Sequence, residues 1–411
     1  MHIGAVADDF TGATDLATTL QARGLRAAVV VEDRPVDAAE LAGVDAVVVA
    51  LKSRTAPVDQ AVADSTAALD RLLGWGAERV YVKYCSTFDS TDRGNIGPVL
   101  DAVRDRLGVD RTVVVPSFPA NGRTVSDGVL RVHGTLLEDS PMRHHPLTPM
   151  TRSRIRDLLQ PQTPTRVGEI GLDVVRQGAA MLRDAIDAAD PGYLVVDAVT
   201  DDDVRTIAAA TGHLRMLSGG AALGAGIDAT GAHGVTPLPA YAGGRLVVAG
   251  SASEATRGQV AAAAAAGHAM QQVDVDAALT DADAEADRIA AWMRALPAAA
   301  LPVVYSVGEL ADVRPDPTGA SAAAVEHVLA GLVARVVRSG DVDRIVVAGG
   351  ETSGAVVQAL EAGLLRIGPQ LAPGVCWSGV TTPDGREVAV VLKSGNFGGP
   401  DLFSTAWEAL A

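Results

Sequence analysis

The sequence predicts an α/β protein of two domains, each a mostly parallel sheet flanked by helices, with the active site in the cleft between them. Its 411 residues are enough for two separate cores. Hydrophobic residues make up 48% of the chain and aromatic residues only 3%, as is typical of Ala-, Val-, Leu- and Ile-rich helices packed on a buried parallel sheet. We expect domains at 1–232 and 245–411, joined by a linker at 233–244 where Gly and Pro occur without periodicity.

Charge and composition exclude several classes of protein. The net charge of −16 argues against a nucleic-acid-binding surface, because phosphate backbones need clustered Lys and Arg. No run of about twenty apolar residues is free of charges or glycines, so no membrane span is predicted. Only Cys85 and Cys376 are present, and the first residues lack the pattern of a signal peptide. We expect a cytoplasmic protein whose oligomeric state stays open, a homodimer being one option.

The first predicted strand, residues 3–6, ends in two adjacent acids, Asp8 and Asp9, before a helix that continues through Leu20. Two carboxylates at a strand end are costly unless they bind a cation, a substrate hydroxyl or backbone donors. The simpler interpretation is a pair of acids that cap the helix. Both interpretations remain open at this point.

Three further apolar runs of the first domain, 47–51, 80–83 and 112–115, also turn abruptly polar at their carboxyl ends. In an open parallel sheet, ligands bind outside the carboxyl ends of the strands. Single cations there are usually solvated, but a mixture of cations and carboxylates at four strand ends suits a small polyhydroxy acid. The residues expected along this edge are Asp8, Asp9, Lys52, Arg54, Lys83, Asp89 and Arg123.

The second domain has three strand ends rich in Gly and Ser, after residues 246–249, 345–347 and 388–392. The middle one reads Gly-Gly-Glu-Thr-Ser-Gly, with Thr352 or Ser353 expected as the N-cap of a helix. Such junctions direct unpaired backbone N–H groups at an anion. The loop lacks the Lys of a Walker A motif, and an ordinary strand-to-helix turn is the alternative. Three of them together favour a nucleotide.

The helix before that loop has the clearest pattern in the chain. Apolar residues from Val325 to Val337 follow a helical stripe, and Gly340 is expected just after the helix end. The polar loop 142–150 contains the pair His144 and His145, but no third ligand lies at a metal-site spacing, so the metal ligands are unknown. Acids in one domain and phosphate-binding loops in the other suggest phosphoryl transfer from a nucleotide to a small hydroxy acid.

Long motifs then indicate a family. They are Ala-Asp-Asp-Phe-Thr-Gly-Ala-Thr-Asp at 7–15, Lys-Tyr-Cys-Ser-Thr-Phe-Asp-Ser-Thr at 83–91, Gly-Asn-Ile-Gly-Pro-Val at 94–99, Ala-Gly-Gly-Glu-Thr-Ser-Gly at 348–354 and Leu-Lys-Ser-Gly-Asn-Phe-Gly at 392–398. The chain resembles the four-carbon acid sugar kinase family from residue 3 to about 405. The second motif and the 142–150 loop are most similar to the 3-oxo-tetronate kinases within it.

This resemblance implies an N-terminal substrate-binding domain, a C-terminal nucleotide-binding domain and ATP-dependent phosphorylation of the terminal hydroxyl of a 3-oxo-tetronate. The implied ATP contacts are Ser251 or Ser253, Gly349, Gly350, Glu351, Thr352 and Gly395. The implied substrate contacts are Asp8, Asp9, Lys52, Arg54, Lys83 and Arg123. The family often has a serine where this chain has Ala221, which bears on sugar preference.

For the mechanism, we expect Lys52 and Arg54 to hold the substrate carboxylate while Asp9 or Asp8 accepts the hydroxyl proton. Asp89 and Glu351 are the alternative bases. Mg²⁺ is expected on the nucleotide phosphates, with protein ligands that the sequence does not identify. The alternative functions are a D-threonate or D-erythronate kinase of the same family and a non-catalytic sugar-acid sensor; the stereochemistry at C2 stays open.

Overall fold

The computed structural model describes residues 1–31, 34–144, 148–229, 237–313, 316 and 318–410. The chain divides into two compact units, Met1–Val235 and Thr236–Ala411. The two-domain α/β prediction is confirmed. Parts of the predicted linker and of the 142–150 loop, including His145, lie outside the described residues.

The first unit is built on a parallel sheet with the order β2-β3-β1-β4-β11-β5-β10-β9. A small antiparallel sheet, β6-β7-β8, follows β5. The strands are β1 Ile3–Ala7, β2 Ala27–Val31, β3 Ala46–Ala50, β4 Arg79–Lys83, β5 Arg111–Val115, β6 Arg123–Ser126, β7 Val129–Val132, β8 Thr135–Leu136, β9 Val167–Ile170, β10 Gly192–Val196 and β11 Met216–Gly219.

Helices cover this sheet, and its central strands are buried along their whole length, as expected for a parallel sheet. The α-helices are α1 Phe10–Ala22, α2 Val58–Gly74, α3 Ile96–Leu107, α4 Ile155–Leu159, α5 Leu172–Val175, α6 Ala179–Ala188 and α7 Asp201–Ala210. Because β1 lies between β3 and β4, the residues that follow these three strands are neighbours.

The second unit has the strand order β13-β14-β12-β15-β18-β17-β16, parallel as far as β18 and antiparallel beyond it. The strands are β12 Gly244–Ala249, β13 Ala269–Gln272, β14 Pro302–Tyr305, β15 Val342–Ala348, β16 Leu364–Ala372, β17 Val375–Thr381 and β18 Glu387–Lys393. The α-helices are α8 Glu254–Ala265, α9 Val275–Thr280, α10 Ala282–Arg294, α11 Ala320–Arg338, α12 Gly350–Ala359 and α13 Leu402–Thr405.

The helix α11 follows the predicted pattern. Its apolar stripe, including Val325, Leu329 and Val333, is buried, and Gly340 has φ +80° just after the helix end. By length and composition alone, α11 is long and apolar enough to cross a membrane, which the sequence reading did not single out. Because its apolar face is buried within the unit, packing in the core accounts for that composition.

Candidate functional site

Asp8 and Asp9 follow β1. The amide of Asp8 donates to the carbonyl of Lys83 at the end of β4 (3.1 Å), and the carbonyl of Asp8 accepts from the amides of Ser53 and Arg54 beyond β3 (3.1 Å each). These bonds extend the pairing of the sheet past its last residues. They therefore hold three strand ends, and the side chains on them, next to one another.

Asp9 is also the N-cap of α1. Its Oδ1 accepts from the amide of Gly12 at 2.7 Å, and its Oδ2 accepts from the hydroxyl of Thr11 at 2.9 Å. The side chains of Asp8 and Asp9 stay 16% and 22% exposed, so solvent or a ligand can reach both. Capping by Asp9 is thus compatible with a second role at the strand end.

Arg54 binds both aspartates. Its Nε and Nη2 donate to the two carboxylate oxygens of Asp8 at 2.9 and 2.8 Å, and Nη2 lies 2.9 Å from Oδ1 of Asp9. Asn95 at the start of α3 supports this arrangement, because its Nδ2 donates to the carbonyl of Ser53 at 2.7 Å. A bidentate pair of this kind fixes the orientation of the Asp8 carboxylate as well as neutralising it.

Lys83 and Asp15 lie behind this cluster, and both are buried. Nζ of Lys83 donates to the carbonyl of Tyr84 at 2.9 Å. A Cβ placed on Gly12 would be 2.3 Å from Oδ1 of Asp9 and 3.0 Å from Nζ of Lys83, so the glycine allows the charged groups to approach. Oδ1 of Asp15 has no hydrogen-bond partner in the described chain. The sequence motif contained Asp15, but nothing in it singled this residue out.

The two aspartates of the pair have opposite pKa shifts. Burial raises the pKa of Asp8, and the attraction of Arg54 reduces this rise. Burial also acts to raise the pKa of Asp9, but Arg54 and Lys83 outweigh it. Hydrogen bonds to Asp9, including that from Gly12, act in the same direction, and its pKa lies below the usual value. Asp8 is therefore the stronger proton acceptor of the two whenever it is ionised.

The other predicted residues of this edge have different surroundings. Lys52 is exposed. Arg123 donates through Nη1 to the carbonyl of Asn121, whereas its Nε and the Nδ2 of Asn121 are buried donors without a partner in the described chain. Asp89 accepts from the hydroxyl of Thr87 at 2.6 Å and is buried. Among the described residues, no hydrogen bond or ion pair joins Arg123 or Asp89 to the cluster of Asp8, Asp9 and Arg54.

Ala221 begins a 3₁₀-helix, Ala221–Gly226, directly after β11, and it is buried. The preceding Gly220 is close to the segment after β5, since a Cβ on it would be 2.9 Å from the carbonyl oxygen of Pro116. Ala221 thus follows a carboxyl strand end of the same sheet. Its methyl group offers no hydrogen bond at that position.

In the second unit, the predicted phosphate-binding residues converge from three strand ends. Ser253 caps α8, and its hydroxyl donates to the carbonyl of Gly395 at 2.6 Å. A Cβ on Gly395 would lie 2.3 Å from Oγ of Ser251. The loops after β12 and β18 therefore approach closely, and any side chain at position 395 would displace the hydroxyl of Ser251.

The loop after β15 joins the same group. A Cβ on Gly349, which has φ +132°, would be 2.9 Å from Oγ1 of Thr352 and 3.3 Å from the amide nitrogen of Ser251. The predicted N-cap was wrong, because Gly349 is the N-cap and Thr352 and Ser353 are buried inside the first turn of α12. The backbone turns sharply at a glycine, so no hydroxyl is needed to begin the helix. Gly350 and Glu351, also predicted, lie on the exposed side of this turn.

Lys393 was not predicted as a site residue. It is the last residue of β18, it is fully buried, and its Nζ donates to Oγ1 of Thr256, Oε1 of Gln259 and the carbonyl of Gly395. Gln259 in turn donates to the carbonyl of Gly399 at 2.9 Å. A lysine beside a strand end is ordinarily solvated, so no local pattern predicted that this lysine would be buried.

The open glycine loops and the N-termini of α8 and α12 fit a group with phosphates, because both present backbone N–H donors where a Cβ would block approach. Among the residues that the structure describes, no group of three His, Cys, Asp or Glu side chains could hold a metal ion. The side chain of His144 and all of His145, the predicted histidine pair, lie outside the part of the chain that the structure describes.

Two family models match the chain: a sugar-binding N-terminal domain over residues 3–227 and a nucleotide-binding C-terminal domain over residues 246–403. A curated protein of Pseudomonas fluorescens, named 3-oxo-tetronate kinase, is 42% identical over 100% of this chain and 97% of its own. Another of that name from Brucella melitensis is 41% identical over 99% and 95%. The chain belongs to the four-carbon acid sugar kinase family.

Solved structures agree with this membership. A crystal structure of a Salmonella typhimurium protein has a TM-score of 0.88 at 36% identity, covering 98% of each chain. One of a Haemophilus influenzae protein has a TM-score of 0.77 at 35% identity, covering 99% of this chain and all of the other. In terms of the family, the Asp8–Arg54–Asp9 cluster lies in the sugar-binding domain and the glycine-rich strand ends lie in the nucleotide-binding domain.

We predict that Asp15→Asn stabilises the protein above neutral pH. Burial raises the pKa of Asp15 to about 6, from an ordinary value of 3.8. The unfolded chain therefore loses this proton at a lower pH than the folded protein does, so the carboxyl lowers stability as the pH rises from about 4 to about 6. Removing it should raise the free energy of unfolding by about 2 kcal/mol at about pH 8 and leave it unchanged near pH 4.

Thermal unfolding of wild type and variant at both pH values measures this difference. Asp70→Asn is the matched control, because Asp70 is exposed and forms a surface ion pair with Arg106 at 2.9 Å. Equal destabilisation of the Asp15 variant at both pH values would mean that the Asp15 carboxylate has a stabilising partner.

We also predict that Gly395→Ala weakens nucleotide binding. The new methyl group would be 2.3 Å from Oγ of Ser251, which must rotate away, and 3.2 Å from Cβ of Ser253, so the two loops must also move apart slightly. We expect Mg·ADP to bind at least ~10-fold more weakly, as measured by calorimetry, because displaced backbone donors lose their alignment with the phosphates. Gly258→Ala on α8 is the control, since its Cβ meets nothing within 4 Å and its binding should match wild type.

Proposed function

We propose that the protein is an ATP-dependent kinase that phosphorylates the 4-hydroxyl of 3-oxo-tetronate. The hydroxyl oxygen attacks the γ-phosphorus, the bond from that phosphorus to the bridging oxygen breaks, and ADP and 3-oxo-tetronate 4-phosphate form. The observation that carries this proposal is the Asp8–Arg54–Asp9 cluster at a parallel strand edge, in a chain whose other unit has glycine-lined phosphate loops. The relatives named 3-oxo-tetronate kinase support the choice of sugar acid.

In this proposal Arg54 orients the two aspartates. Its Nε and Nη2 already donate to Asp8 and Asp9, which makes it less available for the substrate carboxylate than the sequence suggested. Lys52, Lys83 and Arg123 are then the cations for that carboxylate. The unpaired Nε of Arg123, next to the unpaired amide of Asn121, is a donor that a carboxylate or carbonyl oxygen would satisfy.

Asp8 and Asp9 have different roles: Asp8 accepts the proton of the substrate hydroxyl, and Asp9 orients that hydroxyl. Asp8 has the raised pKa and two carboxylate oxygens that each accept one bond from Arg54, so a lone pair remains for the substrate proton. Asp9 has the lowered pKa and is held by Thr11 and Gly12, which suits a fixed acceptor that orients the hydroxyl. A phosphoryl transfer with a loose transition state needs proton acceptance only late in the reaction.

The ATP phosphates are assigned to the backbone donors around Gly349, Gly350, Glu351 and Thr352, and the Gly395 loop, with the hydroxyls of Ser251 and Ser253 beside them. Magnesium bound to the phosphates supplies charge neutralisation. We assign no side-chain ligands to it, because Mg²⁺ at such sites binds mainly to phosphates and water.

We also place the reaction in the cytoplasm. Both cysteines, Cys85 and Cys376, are free thiols, as is usual in a reducing compartment, and ATP is supplied there.

The first test is ATP consumption by the purified protein with Mg²⁺ against 3-oxo-tetronate, D-threonate, L-threonate, D-erythronate and D-glycerate. We expect turnover confined to the 3-oxo acid, because a site built for one oxygen group rejects its analogue strongly. Preference for D-threonate or D-erythronate would reassign the substrate and give Ala221 a role in specificity. Absence of turnover on every acid, with nucleotide binding intact, would favour a sugar-acid sensor.

The second test compares Asp8→Asn with Asp9→Asn. We expect kcat to fall by roughly two orders of magnitude or more for Asp8→Asn, which loses the base, and by about one order for Asp9→Asn, since asparagine still caps α1. Mg·ADP affinity, measured by calorimetry, should stay at the wild-type value in both. The reverse order would make Asp9 the base, and near-normal turnover of both would remove the two aspartates from the chemistry.

A further inference from the structure

Lys393 is a buried cation without a counter-charge. Its side chain is 0% exposed, and its Nζ donates to Oγ1 of Thr256 at 3.0 Å, Oε1 of Gln259 at 2.8 Å and the carbonyl oxygen of Gly395 at 3.0 Å. All three acceptors are neutral. In the described part of the chain no carboxylate forms a salt bridge with Lys393, whereas Arg54 in the other unit has two.

Burying an ammonium group among neutral acceptors lowers the stability of the protein when no ligand is bound. A buried ammonium group loses its hydration, and neutral acceptors restore only part of that energy. Burial alone lowers the pKa of Lys393, to about 7, with no charged neighbour contributing. The charged residues at the start of α8 lie elsewhere: Glu254 is exposed, and Arg257 donates to the carbonyl of Ala252. A negative charge supplied from outside the chain would remove the cost.

The groups that Lys393 holds belong to the predicted phosphate site. The carbonyl of Gly395 also accepts from Ser253, at 2.6 Å, and from Thr256, at 2.8 Å, so three donors fix one peptide unit. In a trans peptide the N–H points away from the C=O, and no described peptide bond is cis. The inward carbonyl of Gly395 therefore directs the next amide, that of Asn396, away from Lys393.

Gln259 holds the carbonyl groups of the next residues of the loop in the same inward direction. Its Oε1 accepts from Lys393, and its Nε2 donates to the carbonyls of Phe397, Gly398 and Gly399 at 3.1, 3.2 and 2.9 Å. Each of these carbonyls points inward, so the amides of Gly398 and Gly399 point to the other side by the same geometry. The amide of Phe397 donates within the turn, to the carbonyl of Ser394 at 3.1 Å. The ammonium group thus lies beneath a turn in which the N–H groups of Asn396, Gly398 and Gly399 face outward, which is the form of an anion-binding nest.

Composition strengthens this assignment. The chain has 34 Lys and Arg residues, and only three of them are lysines: Lys52, Lys83 and Lys393. Lys83 and Lys393 are the last residues of the parallel strands β4 and β18, and Lys52 is the second residue after β3. Arginine supplies every other cation. An ammonium nitrogen directs three donors from one point, which a planar guanidinium cannot do, so lysine at position 393 matches its three acceptors.

We propose that Lys393 is the positioning residue of the nucleotide site: it orients the amides of Asn396, Gly398 and Gly399 toward the phosphates and places under them a positive charge that the phosphates neutralise. The proposal rests on the assignment of ATP to this unit. A consequence is that binding of a nucleotide favours the protonated lysine. Above neutral pH, where the free protein holds Lys393 partly deprotonated, nucleotide binding is accompanied by proton uptake.

Three lysines make a direct test possible. Protein labelled with ¹³C at lysine Cε gives three side-chain signals, and the one missing from Lys393→Met identifies residue 393. We expect this signal to titrate near neutral pH in the free protein and at a higher pH with saturating Mg·ADP. The Lys52 signal, from an exposed side chain of the other unit, is the internal control and should be the same with and without Mg·ADP.

Calorimetry of Mg·ADP binding supplies the second measurement. We expect Lys393→Met to bind ~10- to 100-fold more weakly than wild type, because it loses the charge and the hydrogen bonds that orient the loop. At about pH 8, binding in two buffers of different ionisation enthalpy should show proton uptake by wild type and none by the variant. Arg338→Met, a change at an exposed cation of the same unit, is the matched control and should bind as wild type does.

The outcomes separate this inference from the proposed function. If wild type binds no adenine nucleotide, the assignment of ATP to this unit fails. The positioning role is overturned if wild type and Lys393→Met bind Mg·ADP equally well. It is also overturned if the pH at which the Lys393 signal titrates is the same with and without Mg·ADP. The kinase assignment stands in both cases. Should Lys393→Met fail to fold, the titration of the Lys393 signal in wild type still decides, with assignment by elimination from Lys52→Met and Lys83→Met.

Discussion

The pairing of one guanidinium with two carboxylates is the interaction on which the sugar-binding unit depends. Asp8 and Asp9 follow the central strand of a buried parallel sheet, where two adjacent negative charges would repel each other and lose hydration. Arg54 arrives from the neighbouring strand and binds both, within 2.9 Å. The topology makes this possible, because β1 lies beside β3 and their carboxyl ends reach the same edge. Strand order, rather than any local motif, brings the charges together.

The nucleotide-binding unit meets the same constraint in a different way. Its strand ends carry glycines and hydroxyls, so backbone amides provide the positive electrostatic potential and few charges must be buried. Lys393 is the exception, and its three hydrogen bonds go to neutral oxygens. One unit therefore neutralises its charges internally, whereas the other keeps a buried cation whose counter-charge we assign to the ligand. This difference fits a sugar acid, which needs hydroxyl acceptors, and a polyphosphate, which needs donors.

The sequence predicted most of the parallel core because β-branched runs that end in polar residues are a local pattern. It missed the parallel strands β2, β9, β11, β13 and β14 as well as the antiparallel strands β16 and β17. Within β16, Gly368 and Pro369 are residues typical of turns. The sequence prediction misplaced the N-cap of α12, because the backbone at Gly349 adopts a left-handed φ that residue identity only permits. The burial of Asp15 and Lys393 depends on which elements pack over them, and no local pattern records that.

The small number of lysines shows how much of the burial pattern amino-acid composition can predict. In a chain where arginine provides nearly all of the positive charge, the few lysines are positions at which arginine does not serve equally well. A guanidinium stays protonated at any physiological pH and binds in a plane, whereas an ammonium group can lose its proton when buried and directs three donors from one atom. Lys83 and Lys393 are both buried at parallel strand ends, one in each unit. The rarity of lysine was visible in the sequence from the start, but Lys52 is exposed although it also follows a parallel strand, so rarity and strand-end placement select candidates and packing decides which of them are buried.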